Sequence, residues 1–455
     1  MKKFLALVLA AMLLTGCCGA FADEAAAVPE GYPAVVEGID FGGADVYIYD
    51  YWTPTEERQA EPSEQTQAQY DYRDWIMETY NVKLHQIAKG DWASNVTELT
   101  NFCTAPDGTL CLYILPPDFV GTPMANDLFA SWSGCDLIDL SDEQWNAGDV
   151  DFMTKGGEVY GVATGHSEPR QCLYFNKRVL EEAGIDWETI YDMQAEGTWT
   201  WDAFEDMLKQ INKDTDNDGV LDIYGMTGYN VDMYRIAVFN NGGSFFGFDE
   251  EGNLTVTAGS DETMEALAWA KDIWNNYGYQ QPEDGSWDYY KDAWKQGFCG
   301  FYMYQTYGGF NDNSEMADMA DEWGCVAFPI GPKGDTYHHI ISDNITVIPN
   351  VYDADTVNKL AYIYQLWSAT TPGYDDEDAW IGNKYNFTDD RAVDETYAML
   401  REPEHAASDA CLYIGSINDI EGQDYLWNLG GSTPAELYEA KLPVWQALCD
   451  TFNGK

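Results

Sequence analysis

The chain has 455 residues, with 78 acidic and 23 basic side chains, so its formal net charge is −55. A field of this sign repels nucleic acid and anionic lipid headgroups, which excludes both as partners. The acidity itself is typical of an exported protein that stays soluble in a cation-rich exterior. Aromatic residues make up 15% of the chain, with 17 Trp and 31 Tyr, and such rings hold neutral polar ligands by stacking on their C–H faces.

The N-terminus predicts a secretory signal peptide. Two lysines precede the apolar run 4–14, which is too short to span a bilayer. The run ends in Leu14-Thr15-Gly16-Cys17, which has the form of a bacterial lipobox, so we predict that residues 1–16 are removed and that Cys17 is lipidated. Cleavage after Ala22, at a small-x-small site, is the alternative. Residues 17–43 are rich in Ala, Glu, Pro and Gly and predict a flexible tether.

The roughly 410 residues after the tether exceed the size of a single core and predict two domains. Short apolar segments alternate with helical ones, which is typical of a mainly parallel sheet in an α/β fold. The lipid anchor is the expected membrane contact, because no later stretch approaches ~18 uninterrupted apolar residues. The pattern predicts strands at 45–50, 82–87, 110–115, 173–175, 298–304 and 325–329, and helices at 95–102, 178–183, 201–211 (capped by Thr200) and 262–274.

Eight cysteines lie between Cys103 and Cys449, beyond the Cys17-Cys18 pair. Export permits disulfides, and Cys103 with Cys111 could close the turn at 105–108. Buried free thiols account for the eight cysteines equally well, so both alternatives stay open. The sequence has no C-x-x-C motif, which argues against a thiolate metal cluster.

The sharpest local motif is an acidic loop, and its carboxylates are Asp214, Asp216, Asp218 and Asp222. With a glycine at position 6, these residues occupy positions 1, 3, 5 and 9 of a calcium-binding loop. Position 12, normally a bidentate glutamate, is Gly225, so the motif is incomplete. We predict a structural calcium ion here, and an Asx-rich surface turn is the alternative.

Several ordered segments of the chain carry a family pattern. They are Gly157-Glu158-Val159-Tyr160-Gly161, Tyr174-Phe175-Asn176-Lys177, Thr198-Trp199-Thr200-Trp201-Asp202, Asn241-Gly242-Gly243 and Phe328-Pro329-Ile330-Gly331-Pro332. Together they resemble the family 1 extracellular solute-binding proteins, whose best-known relative is the maltose-binding protein. The segment 105–118 departs from the Gly-Asp-x-Pro-Asp turn that is usual in that family.

The resemblance implies a periplasmic-binding-protein-like α/β fold, in which two α/β lobes are joined by a multi-strand hinge with the ligand cleft between them. Lobe 1 is expected to hold 44–165 with 298–337, and lobe 2 to hold 166–297 with 338–455. The resemblance further implies an extracellular, lipid-anchored monomer that captures a mono- or oligosaccharide by hinge closure. Such a protein delivers its ligand to the permease subunits of an ABC importer. A binding protein for a non-sugar solute such as a peptide, or a surface receptor or adhesin on the same fold, is the alternative.

Ligand contacts are expected from the lips of the two lobes, because open α/β sheets bind ligands at the carboxyl ends of their strands. Aromatic rings would stack on a sugar ring, and carboxylates and amides would take pairs of hydroxyl groups. For any single aromatic residue, packing within a core is the alternative. The expected contacts are Trp52, Asp118, Glu168, Asn230, Asp232, Tyr307, Trp380 and Trp427.

We do not expect an enzyme. Two carboxylates in a cleft could form a glycosidase site, but a chain with 78 acidic residues places some such pair in a groove by chance. The motifs G-x-S-x-G, H-E-x-x-H and G-x-x-x-x-G-K are absent from the sequence. Gly165-His166-Ser167-Glu168-Pro169 has proline where a nucleophile elbow needs glycine, and the five histidines include no i,i+4 pair that would suggest zinc. We therefore predict neither a catalytic residue nor a catalytic cofactor.

Overall fold

The computed structural model describes residues 28–283, 285–310, 316–317, 319–374, 387, 389–423 and 425–455. The predicted signal peptide, the lipidation site Cys17 and the expected ligand contact Trp380 lie outside these residues. Within them, no helix combines the length and the hydrophobicity that crossing a membrane requires. Two four-stranded sheets form the centres of two α/β lobes.

The strands of the two main sheets are, in chain order, β1 (Ala44–Asp50), β2 (Val82–Ala88), β3 (Leu110–Leu115), β4 (Gln171–Asn176), β5 (Tyr224–Gly228), β6 (Cys299–Gln305), β7 (Trp323–Val326) and β8 (Ile345–Val347). Short ladders also join Thr154–Lys155 to Glu158–Val159, Phe246–Phe248 to Leu254–Val256, and His339–Ile340 to Ala406–Ala407.

The α-helices are, in chain order, α1 (Glu64–Thr79), α2 (Asn95–Thr104), α3 (Gly121–Ala125), α4 (Ala147–Phe152), α5 (Lys177–Glu182), α6 (Glu188–Ala195), α7 (Trp201–Ile211), α8 (Asn230–Phe239), α9 (Asp261–Tyr277), α10 (Tyr289–Lys295), α11 (Tyr307–Phe310), α12 (Ala354–Ser368), α13 (Ala398–Leu400) and α14 (Pro434–Phe452). Other helical turns lie at Pro117–Phe119, Ala392–Tyr397, Pro403–His405, Ala410–Tyr413, Asn418–Gln423 and Leu426–Asn428.

The first sheet, with the strand order β8-β3-β1-β2, forms lobe 1. β1 runs parallel to both β2 and β3, whereas β8 pairs antiparallel with β3. Alternate side chains of β1 point into the core, and Val46 and Ile48 are fully buried. This alternation follows from the period of two residues in a strand, which is why the sequence pattern locates the strand correctly.

The second sheet, with the strand order β7-β4-β6-β5, forms lobe 2. β4 is buried along its whole length, as expected for a strand that is covered on both faces. Helix α7 has the predicted bounds, and it buries Trp201, Phe204 and Leu208 because they recur on one helical face. Thr200 stands at its N-cap without a side-chain capping bond, contrary to the prediction, and the N–H of Trp201 donates instead to the carbonyl of Ile330 at 3.0 Å.

The strand pairing corrects two of the predicted lobe boundaries. β6 and β7, within 298–337, pair with β4 and therefore belong to lobe 2 rather than to lobe 1. β8, within 338–455, belongs to lobe 1, because Ile345 pairs with Leu115 of β3. Helix α12 follows β8 and packs against α1 of the same lobe. Pairing between strands that are distant in sequence decides lobe membership, and local periodicity does not encode it.

The described part of the predicted tether packs against lobe 1 from Tyr32 onward. The Tyr32 ring lies edge-on to the rings of Tyr72 and Trp75, with centroid distances of 5.1 and 5.2 Å. The N–H of Phe41 donates to the carbonyl of Tyr80 at 3.0 Å. These contacts fix the segment 32–43, which is therefore part of lobe 1 and not of a flexible tether.

The eight cysteines from Cys103 to Cys449 are free thiols in the structure. The thiol of Cys103 donates to the carbonyl of Leu128 at 3.5 Å, and the Cys111 sulfur lies 3.3 Å from the hydroxyl of Tyr352. The disulfide across the turn at 105–108 is therefore not formed, and the buried-thiol alternative describes this structure.

The two lobes contact each other beside the cleft. Gly121, at the start of α3 in lobe 1, faces the carbonyl oxygen of Leu412 in lobe 2, and a Cβ atom on Gly121 would lie closer than 3.0 Å to that oxygen. The ring of Phe152 in lobe 1 packs edge-on against Tyr413 of lobe 2, with the centroids 5.1 Å apart. The lobes thus approach as closely as a glycine at position 121 permits.

Candidate functional site

A cavity of about 400 Å³ lies between the two lobes, and we call it the cleft. It is lined where strands β1, β3, β5 and β6 end, which is the edge at which open α/β sheets bind ligands. Lobe 1, the chain crossings between the lobes, and lobe 2 all contribute side chains. They are Tyr51, Trp92, Pro117 and Asp118 from lobe 1, Arg170, Ile340, Ile341 and Ser342 from the crossings, and Gln171, Tyr229, Val231, Asp232, Arg235, Gln305, Tyr307, Ile417 and Asn418 from lobe 2.

In lobe 1, short turns after two strands aim the polar groups at the cleft. Tyr51 follows β1, and its hydroxyl donates to the Asn344 side chain of a crossing at 2.8 Å. Asp118 follows β3 in a single helical turn, and the next residue, Phe119, packs edge-on against Trp92 with centroids 4.7 Å apart. One wall of the cleft therefore combines a carboxylate with aromatic rings.

In lobe 2, helix α8 begins directly after β5 and places Asp232 in its first turn. Asp232 is almost fully buried, and its two oxygens have different donors. Oδ2 accepts from the Gln305 amide at 3.2 Å, and Oδ1 accepts from Nη1 of Arg235 at 3.4 Å. These bonds hold the carboxylate in one orientation against the cleft.

Arg235 forms the floor of the cleft and keeps a positive charge there. Its Nε donates to Glu421 at 3.3 Å. Burial, and then the charge of Asp409, raises the pKa of Glu421 well above its ordinary value. Burial also raises the pKa of Asp409. Nε and Nη1 of Arg235 bond to Glu421 and Asp232, and the guanidinium lines the cleft between them.

Asp118 and Arg170 complete the charged groups of the cleft. Burial raises the pKa of Asp118, while Arg235 and Arg170 oppose that rise by stabilising the carboxylate. The Arg170 guanidinium lies over the ring of Tyr307 at 5.7 Å. The cleft thus offers carboxylate acceptors, guanidinium donors and aromatic faces, which is the combination that binds a ligand rich in hydroxyl groups.

A second cavity of about 300 Å³ adjoins the cleft in lobe 2, and we call it the aromatic pocket. Tyr229 lines both cavities and joins them. Indole and phenol rings dominate the lining of the aromatic pocket, and the other lining groups are amides and one glycine. Its residues are Gly228, Tyr229, Asn230, Trp274, Gln280, Gln281, Trp287, Tyr289, Tyr290 and Trp427.

The structure brings most of the predicted contacts to these two cavities. Asp118, Asp232 and Tyr307 line the cleft, and Asn230 and Trp427 line the aromatic pocket. The sequence patterns did not indicate Tyr51, Arg170, Arg235 or Trp287. Arg235 could have been found, since it lies three residues after Asp232 on the same helical face; no sequence signal distinguishes Arg170.

Two predicted contacts take other positions. Trp52 is exposed beside the cleft, where its neighbour Tyr51 is the lining residue. Glu168 forms an ion pair with Arg401 and accepts a hydrogen bond from Tyr397, so it is engaged outside the cleft lining described above. We therefore no longer assign Glu168 to the ligand.

Comparison with known sequences decides the family. Residues 62–386 match the family of bacterial extracellular solute-binding proteins, and this match spans more than half of the chain. The chain belongs to this family. The predicted resemblance is thereby confirmed, and the family is one of solute-binding proteins rather than of enzymes.

Single relatives are similar to this solute-binding protein at low sequence identity or over a short stretch only. An arabinooligosaccharide-binding protein of Halalkalibacterium halodurans is 31% identical over 122 residues, which cover 27% of this chain and 23% of that protein. An ABC substrate-binding protein from Listeria monocytogenes, solved in complex with cycloalternan, has a TM-score of 0.62 at 15% identity, covering 90% of this chain and 99% of its own. UgpB from Mycobacterium tuberculosis, solved with glycerophosphocholine, has a TM-score of 0.60 at 14% identity, with the same coverage of both chains. The two structures confirm the predicted two-lobed α/β fold.

The acidic loop of this solute-binding protein gathers three of its four predicted metal ligands. One oxygen from each of Asp214, Asp216 and Asp218 lies within 4.8 Å of the others. Asp222 is not part of this cluster, and its carboxylate accepts from the N–H of Thr215 at 2.7 Å and from the Thr215 hydroxyl. An all-oxygen cluster of this kind suits a hard cation such as calcium.

A pair of carboxyl groups connects lobe 1 to a crossing. Asp149, in the first turn of α4, is nearly fully buried, and Asp343 lies on the crossing that precedes β8. Burial, and then the charge of Asp343, raises the pKa of Asp149 to about 8. Burial raises the pKa of Asp343 as well, although hydrogen bonds from the Ser167 hydroxyl and the backbone N–H of Glu168, together with the charge of Arg170, oppose the rise. At neutral pH one proton is therefore held at this pair.

The stability of the folded protein is expected to fall as pH rises from about 4 to about 8, because Asp149 keeps a proton that the unfolded chain has released. Asp149→Asn replaces the shared proton by an amide donor. We expect the variant to melt above the parent at pH 8.5, by about 2–4 °C for each kcal/mol of repulsion removed. Thermal unfolding at pH 5 and pH 8.5 measures this. The general acidity of the chain affects the parent and the variant alike, so the difference between their melting temperatures reports on Asp149. A difference that does not grow from pH 5 to pH 8.5 would contradict the prediction.

Proposed function

We propose that this protein captures a carbohydrate, and specifically an oligosaccharide, in the cleft between its lobes and delivers it to the permease of an ABC importer. The observation that carries the proposal is the composition of the cleft. Asp118 and Asp232 offer acceptors for hydroxyl pairs, Arg170 and Arg235 offer donors, and the tyrosine and tryptophan rings around them offer stacking faces. Ligand contacts from both lobes would favour the closed arrangement of a monomer.

The relatives support the same class of ligand. One relative is named for binding arabino-oligosaccharides, and another was solved in complex with cycloalternan. They favour the carbohydrate class.

A non-sugar solute is the second candidate, and the paired guanidinium groups of the cleft favour it. UgpB binds glycerophosphocholine on the same fold, and Arg170 with Arg235 could hold a phosphodiester. The carboxylates of Asp118 and Asp232 argue against a phosphodiester beside them, because they would repel its negative charge.

A thermal-shift screen tests the proposal, because a ligand that binds only the folded state raises the melting temperature. The panel contains arabino-oligosaccharides, malto-oligosaccharides, their monosaccharides, a mixed tripeptide library and glycerophosphocholine. We expect a saccharide to stabilise the protein most strongly. Stabilisation by the peptides or by glycerophosphocholine, with none by any saccharide, would contradict the proposed function.

We also propose that the exported protein is held at the cell membrane through acylated Cys17. The lipobox Leu14-Thr15-Gly16-Cys17 supports this anchor. Mass spectrometry of the membrane fraction is expected to find a diacylated N-terminal Cys17, and Cys17→Ala is expected to release the protein. A mature N-terminus at Asp23 would show cleavage at the alternative site.

We propose, finally, that calcium binds the acidic loop and stabilises lobe 2. The clustered carboxylates of Asp214, Asp216 and Asp218 repel one another, and a divalent cation removes that repulsion. A chelator is expected to lower the melting temperature of the parent by several degrees, since ~1 kcal/mol corresponds to about 2–4 °C. Asp216→Ala should show no further change with the chelator. Identical melting curves of the parent with calcium and with chelator would refute the site.

A further inference from the structure

Two carboxyl groups fix the orientation of the Arg235 guanidinium in the cleft. Its Nη1 donates to Asp232 at 3.4 Å, and its Nε donates to Glu421 at 3.3 Å. Arginine has five N–H donors, so other donors of the guanidinium remain for a ligand. Asp232 lines the cleft, whereas Glu421 is fully buried and lines neither the cleft nor the aromatic pocket. Glu421 therefore reaches a ligand only through Arg235.

Glu421 lies against a second buried carboxyl group, which is that of Asp409. Glu421 belongs to the helical turn Asn418–Gln423, and Asp409 caps the turn Ala410–Tyr413 by accepting from the N–H of Cys411 at 3.0 Å. Both side chains are almost entirely removed from solvent. Their carboxyl groups hydrogen-bond to each other, and such a bond requires a proton on one of the two groups.

Two oxygens of this carboxyl pair lack a donor. Within the part of the chain that the structure describes, Oε1 of Glu421 and Oδ2 of Asp409 accept no hydrogen bond from an N–H or O–H group. The Cys411 thiol contacts Glu421, but a thiol is only a weak donor. Two ionised carboxylates would be buried side by side here, and their repulsion and desolvation favour a single negative charge on the pair. One shared proton removes the repulsion and supplies the missing donor.

We propose that Glu421 is a positioning residue for ligand binding, which shares one proton with Asp409 and holds the Arg235 guanidinium in the orientation that donates to the ligand. This inference rests on the proposed function of the cleft. Neither of the two carboxyl groups touches the ligand. Glu421 has to supply an acceptor towards Nε of Arg235 and a hydrogen bond to Asp409. A neutral side chain that offers both, such as glutamine, therefore replaces it without loss of affinity.

Titration calorimetry of the full-length protein, with the oligosaccharide that raises its melting temperature most, tests the inference. We expect Glu421→Leu to weaken binding by about tenfold, because Nε of Arg235 loses its acceptor and the guanidinium turns away from its bound orientation. Glu421→Gln should bind within about twofold of the parent, since its carbonyl accepts from Nε and its amide nitrogen donates to Asp409.

Two further variants show whether the effect passes through Arg235. Arg235→Lys keeps the charge but lacks the planar fork, and we expect it to weaken binding by itself. Adding Glu421→Leu to Arg235→Lys should cost little further affinity, because the two residues act as one unit. Gln194→Leu is the matched control, since Gln194 is buried in lobe 2, accepts from the N–H of Ala327 at 2.8 Å and lies outside both cavities. It should lower the melting temperature and leave the affinity unchanged.

The outcomes separate the positioning role from the function. If Glu421→Gln loses as much affinity as Glu421→Leu, a full negative charge is required at this position and the shared proton is refuted. If Glu421→Leu binds as the parent does, or if its loss adds in full to that of Arg235→Lys, Glu421 does not act through Arg235. The carbohydrate function stands in each of these cases. If the parent binds no saccharide, the proposed function fails and the inference fails with it. Glu421→Gln keeps the shape of the parent side chain, so it decides the question even if Glu421→Leu does not fold.

Discussion

Gly121→Ala is expected to lower ligand affinity by about tenfold to hundredfold, because overpacking of a close contact costs about 1–3 kcal/mol and 1.4 kcal/mol is a factor of ten. The added Cβ atom would lie closer than 3.0 Å to the carbonyl oxygen of Leu412 in the opposite lobe. The Cβ atom is attached directly to the backbone, and the oxygen is part of the backbone. Neither atom can therefore move away by rotation of a side chain. The clash lies where the lobes meet, so it penalises the approach of the lobes that the proposed capture of a ligand requires, and it leaves the core of each lobe intact.

Gly134→Ala is the matched control, because a Cβ atom at Gly134 meets no heavy atom within 4 Å and lies in the same lobe. Titration calorimetry measures the affinities, and small-angle scattering measures the separation of the lobes. We expect Gly121→Ala alone to have the larger radius of gyration with ligand present. Parent-like affinity and scattering for Gly121→Ala would show that the contact plays no part in binding.

Asp118→Asn is expected to weaken ligand binding by about tenfold to hundredfold, since hydrogen bonds to charged groups contribute about 1.5–3 kcal/mol. The same substitution should maintain or raise the melting temperature. Burial raises the pKa of Asp118, so the carboxylate is costly to keep charged in the folded protein, and an amide avoids that cost. A loss of affinity without a loss of stability distinguishes a ligand-binding carboxylate from a structural one.

Asp272→Asn is the control for this substitution, because Asp272 is exposed on α9 and lies outside both cavities. It should change neither quantity. Calorimetry and thermal unfolding at pH 7 give the two values for each variant. A loss of stability in Asp118→Asn with unchanged affinity would assign Asp118 a structural role and remove it from the site.

Local periodicity in the sequence was sufficient to predict single elements of this fold. Helix α7 follows the apolar spacing of Trp201, Phe204 and Leu208, and β1 follows an alternation that buries Val46 and Ile48. Lobe membership was predicted less well, because β6, β7 and β8 join sheets whose other strands are distant along the chain. The pairing of such strands depends on the packed core, which no window of sequence contains.

The positions of site residues were predictable where a strand end decides them. Asp118 and Tyr307 each follow a strand of the sheet edge that lines the cleft. After β1 the outcome depends on a turn: the Asp50 carboxylate accepts from the N–H groups of Trp52 and Thr53 at 3.2 and 2.9 Å, and Tyr51 is the residue that lines the cleft. That turn shifts the contact by one position from the predicted Trp52. Glu168 was unpredictable because its partners Arg401 and Tyr397 come from a distant part of the chain.

The most direct test of a carbohydrate-binding cleft is a calorimetric titration of the parent protein with the oligosaccharide that stabilises it most in the thermal screen. The arrangement of carboxylates, guanidinium groups and rings predicts saturable binding of one ligand per chain. Absence of measurable heat with every saccharide tested, together with saturable binding of a peptide or of glycerophosphocholine, would contradict the proposal that the cleft binds a carbohydrate.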